Sequence, residues 1–225
     1  MEMRDAQFYP VDREAMDRFL EICRRQHLAA KTTVMRPGDA GQSLLYVVEG
    51  SLAVSTEGED GRELILSYLN PGDFIGEMGL FMKPREREVL VRTRTRCELA
   101  EVSYSRLREA LDNELSEHAV DILTGIGSKL AQRLLQTRRK VFHLAFLDTQ
   151  GRVAKALIDL CMEPDAVSHP EGTQIKITRQ ELSRIVGCSR EMAGRVMKAL
   201  EEDGMLRAKG KTVVILGKHK GSAPG

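Results

Sequence analysis

Three cations and one carboxylate recur at spacings that place them on one face of a helix. On a wheel at about 100° per residue, the members of this face fall within roughly 140° of one another. The face carries Arg190, Glu191, Gly194, Arg195 and Lys198, and the opposite face carries Met192, Ala193, Val196, Met197, Ala199 and Leu200. Such cations can contact phosphates and guanines, and a carboxylate can accept a hydrogen bond from the amino group of cytosine. The pattern predicts a recognition helix; the alternative is an ordinary amphipathic helix with a solvated charged face.

The residues before this helix predict a helix–turn–helix. Thr178 and Glu181 have the spacing of a capping box, in which two side chains satisfy free N–H groups at a helix start. Gly187 and Cys188 then break the helical pattern, and Ser189 is a favourable N-cap for the recognition helix. Two short helices around a tight turn are therefore expected.

The residues after the recognition helix predict a small wing. Beyond Gly204 an alternating apolar segment turns at Lys209-Gly210-Lys211, so a hairpin is expected. Its basic tip, with Lys211, could touch a DNA backbone.

Charge is distributed unevenly between the two halves of the chain, and the C-terminal half is the more basic. Residues 150–225 hold 13 Lys and Arg against 9 Asp and Glu, whereas residues 1–149 hold 21 against 24. This mild basic surplus agrees with a DNA-binding C-terminal half.

A second group of residues with possible chemistry lies in Phe74–Arg92. Gly76 and Gly79 bracket a tight segment whose backbone N–H groups could cradle an anion. Glu77 could accept from a ribose hydroxyl, and Arg87 could pair with a phosphate. Turn glycines in a β-barrel would explain the two glycines equally well.

Short apolar runs separated by turns rich in glycine and proline surround that segment. The predicted strands are Thr32–Met35, Leu44–Val48, Leu52–Ser55, Leu64–Leu69, Val89–Arg92 and Leu99–Val102. Many short strands of this kind indicate a sandwich or a jelly-roll barrel. Helices are predicted over Asp12–Gln26, from Ser103, and over Phe146–Glu163, with a polar turn at Ala166–Thr173.

A long helix is predicted from about Glu117 to Leu144. Its apolar residues recur at three and four positions: Leu123, Ile126, Leu130, Leu134, Val141 and Leu144. A single helix of this length needs a partner for its apolar stripe. Parallel pairing with the same helix of a second subunit would bury the stripe, and packing on the chain's own barrel is the alternative.

Several classes of protein are disfavoured by composition. The four cysteines lie far apart without CxxC spacing, so no metal site is indicated and reduced structural thiols are expected. No apolar run has membrane-spanning length and no signal peptide is recognisable, so a cytoplasmic protein is expected. An enzyme that hydrolyses phosphate esters would need a metal cluster or a positioned nucleophile and base, and the five scattered histidines form no such pattern.

The C-terminal sequences resemble a known family. Over Phe146–Gly217 the chain is similar to the DNA-binding half of cyclic AMP receptor proteins, and the resemblance extends from about Phe19. The segments that carry it are LAFLDTQGRVAKALIDLC, which begins at Leu144, SHPEGTQIKITRQELSRIVGCSREMAGRV and GKTVV. It implies an α+β fold with an N-terminal cyclic-nucleotide-binding jelly-roll barrel, a long dimerisation helix and a C-terminal winged helix–turn–helix. The expected boundaries are 1–115 for the barrel, 116–145 for the helix and hinge, 146–217 for the DNA-binding domain and 218–225 for a disordered tail.

The resemblance also implies an effector site built on Phe74–Arg92 and the long helix. The matching residues are Gly76, Glu77, Met78, Gly79, Arg87, Glu88, Arg133, Thr137 and Arg138. Glu77 takes a ribose role, Arg87 a phosphate role, and Thr137 matches a threonine that meets the base.

Two departures bear on the identity of the effector. Family members that bind cyclic AMP usually follow the phosphate arginine with Ser or Thr, whereas this chain has Glu88, and Arg138 replaces a serine on the long helix. A carboxylate facing a phosphate in a desolvated pocket is unfavourable. The REV segment resembles the Clp-type branch, which responds to cyclic di-GMP by leaving DNA. The expected effector is therefore cyclic di-GMP, with 3′,5′-cyclic AMP activation or effector-independent regulation as the alternatives.

The resemblance further implies the partners, which are double-stranded DNA, RNA polymerase and a second copy of the chain. It places Arg190, Glu191 and Arg195 as the base-reading trio on TGTGA-like inverted repeats, with phosphate contacts from Thr178, Arg179, Ser189 and Lys198. The turn with Ser168, His169 and Gly172 resembles a surface that contacts the polymerase α subunit. A second polymerase surface is matched in charge by Arg24 and Arg106 but not by Gln26.

Overall fold

The structure, a computed structural model, describes residues 8, 12–82 and 86–217. The chain forms two compact units. The first unit takes in the described residues up to Thr56 together with Ile65–Arg139; the second takes in Glu57–Leu64 and the described residues from Lys140 onward. The boundary at Arg139 falls inside the long helix. The tail predicted for 218–225 lies outside the described residues.

Two antiparallel four-stranded sheets face each other in the N-terminal half. The strands are β1 (Arg24–Leu28), β2 (Thr33–Met35), β3 (Ser43–Glu49), β4 (Leu52–Glu57), β5 (Glu63–Leu69), β6 (Phe74–Ile75), β7 (Leu90–Thr93) and β8 (Cys97–Ser103). The order is β1-β8-β3-β6 in one sheet and β2-β7-β4-β5 in the other. A core that includes Val47, Leu52 and Leu99 is fully buried in this region. Every strand predicted from the sequence is present; β1 and β6 are additional.

Four helices and one 3₁₀ turn accompany these sheets. They are α1 (Arg13–Glu21), α2 (Met78–Phe81), α3 (Tyr104–Asp112), the 3₁₀ turn Ser116–His118 and α4 (Ala119–Phe146). The prediction that the first helix reaches Gln26 is wrong. The Cys23 N–H donates to the Leu20 carbonyl at 3.3 Å and closes the helix, and Gln26 then pairs with Leu99 across β1 and β8.

The long helix α4 has two apolar faces. Ile122 and Ile126 are fully buried in a second core cluster with Phe19, Phe74 and Leu107. The sequence pattern places Ile126 on the stripe that faces a partner, but it packs on the barrel instead. A different row of apolar residues on α4 is exposed: Val120, Leu123 and Leu134. One apolar face of α4 therefore packs on the barrel, and a second apolar row is exposed and could pack on another copy of the helix.

The second unit contains a three-helix, four-stranded arrangement. Its elements are α5 (Thr149–Leu160), β9 (Val167–His169), β10 (Gly172–Lys176), α6 (Arg179–Val186), α7 (Arg190–Glu202), β11 (Leu206–Lys209) and β12 (Thr212–Leu216). The sheet order is β11-β12-β10-β9. The helix predicted from Phe146 starts instead at Thr149, where the Asp148 carboxylate caps Gly151 N–H at 2.8 Å. The predicted polar turn at Ala166–Thr173 contains β9, which pairs with β10.

The predicted α+β fold, with a β-domain, a long helix and a C-terminal helix–turn–helix, is confirmed. Within residues 8, 12–82 and 86–217, no helix has the length and apolar character needed to cross a membrane. In the same residues, no three His, Cys, Asp or Glu side chains are grouped so that they could hold a metal ion.

Candidate DNA-binding face and effector site

Local capping fixes the ends of both helices in the helix–turn–helix. The Thr178 hydroxyl accepts from Glu181 N–H at 3.0 Å, and the Ser189 hydroxyl accepts from Met192 N–H at 3.1 Å. Between them Gly187 takes the left-handed backbone conformation, with φ of 68°, that ends α6. Burial raises the pKa of the Cys188 thiol in the same turn, so the thiol stays protonated at neutral pH.

The recognition helix α7 is amphipathic as the wheel predicts. Its buried residues are Ala193, Val196, Met197 and Leu200, and its exposed polar residues include Arg190, Glu191, Arg195 and Lys198. A Cβ at Gly194 would lie 3.4 Å from Arg179 Cδ, so Arg179 of α6 lies close to this face. The structure therefore brings Arg179 together with the predicted base-reading residues. The four exposed residues and Arg179 together form the α7 face.

The wing is held close to the start of α6. The Lys211 carbonyl accepts from Ile177 N–H at 2.8 Å, one residue before the Thr178 cap. Gly210 has φ of 65°, which permits the tight turn between β11 and β12. The Lys211 side chain is exposed and available to an anionic surface.

The residues predicted to contact polymerase lie in β9, β10 and their turn. Ser168 is exposed, and His169 Nδ1 accepts from Glu171 N–H at 3.2 Å. A side chain at position 172 is excluded by packing, because a Cβ there would lie 2.8 Å from the N of Gly217, the residue that follows β12. At the second predicted surface, Arg24 is exposed. Arg106 there is paired with Glu114 and with Glu109, the latter at 3.6 Å.

In the predicted effector site, Arg87 is held by hydrogen bonds to uncharged groups. Its Nη2 donates to the Ser43 carbonyl at 2.7 Å, and its Nη1 donates to the Tyr104 hydroxyl at 3.1 Å. The Tyr104 hydroxyl in turn donates to the Gly76 carbonyl at 2.6 Å. No carboxylate within the described ranges pairs with this guanidinium, so its positive charge remains available to an anion.

Gly76 and Gly79 are required by this packing. Gly76 has φ of 87°, and a Cβ there would lie 2.6 Å from Arg87 Nη1 and 2.8 Å from the Ser43 carbonyl oxygen. A Cβ at Gly79 would lie 2.7 Å from Tyr104 Cε2. The Gly79 and Leu80 N–H groups already have partners, because they donate to the Gly76 and Glu77 carbonyls at 3.0 and 3.1 Å. The cradling of an anion by this segment stays a prediction.

Glu77 is buried and bound to the long helix. Only 4% of its surface is exposed, and its Oε1 accepts from Arg133 Nη1. Arg133 Nη2 also donates to the Phe74 carbonyl at 2.9 Å. Because a buried carboxylate without a partner would be costly, this pair ties α4 to the loop before α2. A ribose hydroxyl would have to share Glu77 with Arg133.

The remaining predicted effector residues are exposed. Met78 is 58% exposed, and Glu88, Thr137 and Arg138 are also exposed. The Thr137 hydroxyl donates to the Arg133 carbonyl on its own helix at 2.9 Å. The structure therefore gathers Gly76, Glu77, Gly79, Arg87 and Arg133 by direct contacts, and leaves the side chain of Glu88 at the surface.

Comparison with known protein families assigns both halves of the chain. Residues 25–114 match the model of the cyclic nucleotide-binding domain, and residues 151–220 match that of the Crp-like helix-turn-helix domain. The CRP-like protein Clp of Xanthomonas euvesicatoria pv. vesicatoria (strain 85-10) is 52% identical over 207 residues, which are 92% of this chain and 90% of that protein. The chain belongs to the Crp family of transcription regulators.

Two solved structures of Crp-family regulators support the assignment. One is the c-di-GMP responsive global regulator CLP of Xanthomonas campestris, with a TM-score of 0.87, 52% identity, and coverage of 92% of this chain and 100% of that one. The other is a CRP/FNR-family regulator of Thermus thermophilus, with a TM-score of 0.73, 26% identity, and coverage of 86% and 94%. The predicted resemblance to this family and its Clp-type members is confirmed.

Two residues that hold Arg87 in the predicted effector site were not anticipated from the sequence. Ser43 and Tyr104 hold Arg87, yet they lie 44 and 17 positions from it along the chain. Ser43 acts through its backbone carbonyl, so its residue type carried no signal. Tyr104 is the first residue of α3 and directly follows β8. A tyrosine at the end of a strand was the one feature of the sequence that could have indicated a hydrogen-bonding role there.

Proposed function

We propose that this protein is a homodimeric regulator that binds TGTGA-like inverted repeats without a ligand and is released from DNA by cyclic di-GMP. The observation that carries the DNA-binding part is the α7 face, which presents cations and one carboxylate to solvent above a buried apolar back. Membership of the Crp family supports the same assignment.

The chemistry of the α7 face fits base reading in a major groove. Arg190 and Arg195 can each donate two hydrogen bonds to guanine, and Glu191 can accept from a cytosine amino group. Groups around the helix start can contact phosphates and fix its register. We assign that role to Thr178, Arg179, Ser189, Lys198 and, on the wing, Lys211.

A pair of variants separates base reading from backbone contact. Arg190→Ala is expected to cost about 1–3 kcal/mol on a TGTGA-type site and much less on scrambled DNA, because a bidentate base contact is lost. Lys198→Ala, the matched change on the same exposed helix face, is expected to weaken both DNAs alike. Anisotropy titrations at one fixed salt measure the four affinities. Equal losses on both DNAs for Arg190→Ala would refute the assignment.

The cyclic di-GMP part of the proposal draws on Arg87 and on the relatives. Arg87 offers positive charge without a carboxylate partner among the described residues, and Arg138 adds an exposed cation on α4. A Crp-family structure 52% identical to this chain is described as c-di-GMP responsive. A cyclic nucleotide with two phosphates can use both arginines.

Activation by cyclic AMP is the second candidate, and the position of Glu88 favours it. Because the Glu88 side chain is exposed, its carboxylate does not occupy the bonding positions of Arg87. The repulsion that the sequence predicts between Glu88 and a bound phosphate is therefore reduced. Glu88→Ser separates the candidates in calorimetry: it should strengthen cyclic AMP binding if Glu88 selects against that ligand, and leave it unchanged if Glu88 is neutral.

The exposed face of α4 supports the homodimer. Val120, Leu123, Gly127 and Leu134 follow the 3–4–7 spacing of a coiled-coil seam, and a Cβ at Gly127 would meet nothing within 4 Å. Two copies of this helix could pack closely along the row. Dimerisation would also place two α7 faces on the two halves of an inverted repeat.

The turn between β9 and β10 is proposed as a contact for RNA polymerase. Ser168 is exposed, and the His169 ring is oriented by the Glu171 N–H. Loss of promoter activation in vitro by Ser168→Arg, with unchanged DNA affinity, would support the contact. Unchanged activation would remove it.

A further inference from the structure

A pocket of about 300 Å³ lies between the two sheets of the first unit, beside Arg87. One wall is formed by β1, β3 and β8, and the opposite wall by β2. Its apolar lining is Leu28, Val34, Met35 and Leu45, and its polar lining includes Gln26, Thr33, Arg87 and Glu101. The volume is at the lower end of the range for small-molecule sites and suits one nucleoside.

Strand register places Glu101 on the wall of this pocket. Glu101 lies opposite Leu45 on β3 and opposite Arg24 on β1. Because side chains alternate along a strand, Glu101 shares a face with Leu99, which is buried in the core between the sheets. Glu101 therefore occupies a position of β8 whose side chain faces the apolar core, where an apolar residue would be expected.

Glu101 differs from its neighbours in having no protein partner among the described residues. Its carboxylate makes neither an ion pair nor a side-chain hydrogen bond with any residue that the structure describes. Glu98 on the same strand pairs with Arg25 at 2.8 Å, and Asp39 at the pocket accepts from Arg36 N–H at 2.7 Å. Arg24 lies opposite Glu101 in the strand register but forms no ion pair with it, so the carboxylate keeps both oxygens for donors that a ligand could supply.

We infer that this pocket is a guanine-binding subsite in which the Glu101 carboxylate reads the base. The N1–H and exocyclic N2–H groups of guanine point in one direction, so the two carboxylate oxygens can accept both. The apolar wall of Val34, Met35 and Leu45 can cover the flat base. A phosphate attached through the sugar would reach Arg87, whose guanidinium has five N–H donors and uses two in the contacts above.

The subsite would select guanine over adenine. Adenine presents an acceptor at N1 where guanine presents a donor, so a carboxylate would face a lone pair and remain unsatisfied. Sites that hydrogen-bond a ligand group reject analogues lacking it more strongly than apolar pockets do. This inference rests on the proposed response to cyclic di-GMP, and it assigns one guanine of that ligand to the pocket.

The test is calorimetry of the full chain with cyclic di-GMP, cyclic di-IMP and cyclic di-AMP. Cyclic di-IMP lacks the exocyclic amino groups, so the wild type should bind it about tenfold or more weakly than cyclic di-GMP. Glu101→Gln should weaken cyclic di-GMP by a similar factor and should reduce its preference over cyclic di-IMP to within about threefold, because both changes remove the hydrogen bond from guanine N2–H to a carboxylate oxygen. Glu98→Gln, on the opposite face of β8, is the matched control and should behave as wild type.

The outcomes separate this inference from the proposed function. If the wild type binds cyclic di-GMP and Glu101→Gln leaves both its affinity and its preference unchanged, the guanine subsite is wrong and the proposed effector stands. If the wild type binds none of the three dinucleotides, both fail. Thermal melting of each variant checks folding, and an unfolded Glu101→Gln protein would itself contradict a carboxylate that serves only the ligand.

Discussion

At the level of single residues, the proposed effector site depends on a short chain of hydrogen bonds. Arg87 donates to Tyr104, and Tyr104 donates to the Gly76 carbonyl, so one hydroxyl orients both the cation and the loop before α2. Glu77 is oriented separately by Arg133. The residues that would touch the ligand are thus positioned by residues from α3 and α4.

Removing the Tyr104 hydroxyl tests this arrangement. In Tyr104→Phe the Gly76 carbonyl keeps the Gly79 N–H but loses its second donor, and Arg87 loses one acceptor, so we expect stability to fall by about 1–2 kcal/mol. We also expect the affinity for the anionic effector to fall several-fold, because Arg87 is no longer held in one orientation. Urea denaturation and calorimetry measure the two effects.

Tyr46→Phe is the control for that substitution. Tyr46 packs edge-on against Phe74, with ring centroids 5.1 Å apart, but its hydroxyl bonds neither Arg87 nor Gly76. It should leave effector affinity unchanged. Equal affinity for wild type and Tyr104→Phe would show that Arg87 needs no orientation by Tyr104.

At the scale of elements, the predictable parts were those specified by neighbouring residues. The caps at Thr178 and Ser189, the glycine at 187 and the buried face of α7 all depend on residues within one or two helical turns. The strand β1 was missed because its residues are mostly polar and half-exposed, and it becomes a strand by pairing with β8, which is distant along the chain. The Arg87 contacts and the Glu101 pocket also depend on distant pairings.

The long helix was predicted from its local sequence, but the packing of its two faces was not. Periodicity predicted α4 but did not assign its two apolar faces, since Ile126 and Leu134 both fit a helical stripe. Only the barrel decides that Ile126 is buried while Leu134 remains 70% exposed. The exposed row is therefore the surface on which dimerisation must be tested.

Charging the exposed row should break the proposed dimer. Leu134→Glu would place a carboxylate at the seam of two paired helices, where it would face its own copy in an apolar contact. We expect sedimentation velocity to show monomers and DNA affinity for an inverted repeat to fall by more than about tenfold. Gln136→Glu adds the same charge on α4 away from the row and should remain dimeric.

At the scale of the whole molecule, the proposed regulation is a change in population between DNA-competent and DNA-incompetent states. The proposed effector residues lie in the first unit and the α7 face in the second, and α4 contains the boundary between the two units. A ligand can lower DNA affinity only by binding the incompetent state more tightly. A hundredfold loss of DNA affinity requires a coupling free energy of about 2.7 kcal/mol. A ligand hydroxyl that took the place of Arg133 at the Glu77 carboxylate would release a contact between α4 and the loop before α2.

Fluorescence anisotropy on a labelled TGTGA-type inverted repeat tests the proposed regulation. Binding is measured at one fixed salt concentration without ligand, with cyclic AMP and with cyclic di-GMP, because affinity for DNA depends strongly on salt. The proposal predicts tight binding without ligand, no gain with cyclic AMP and loss of binding with cyclic di-GMP. Binding that appears only when cyclic AMP is added would contradict it and would make cyclic AMP the activating effector.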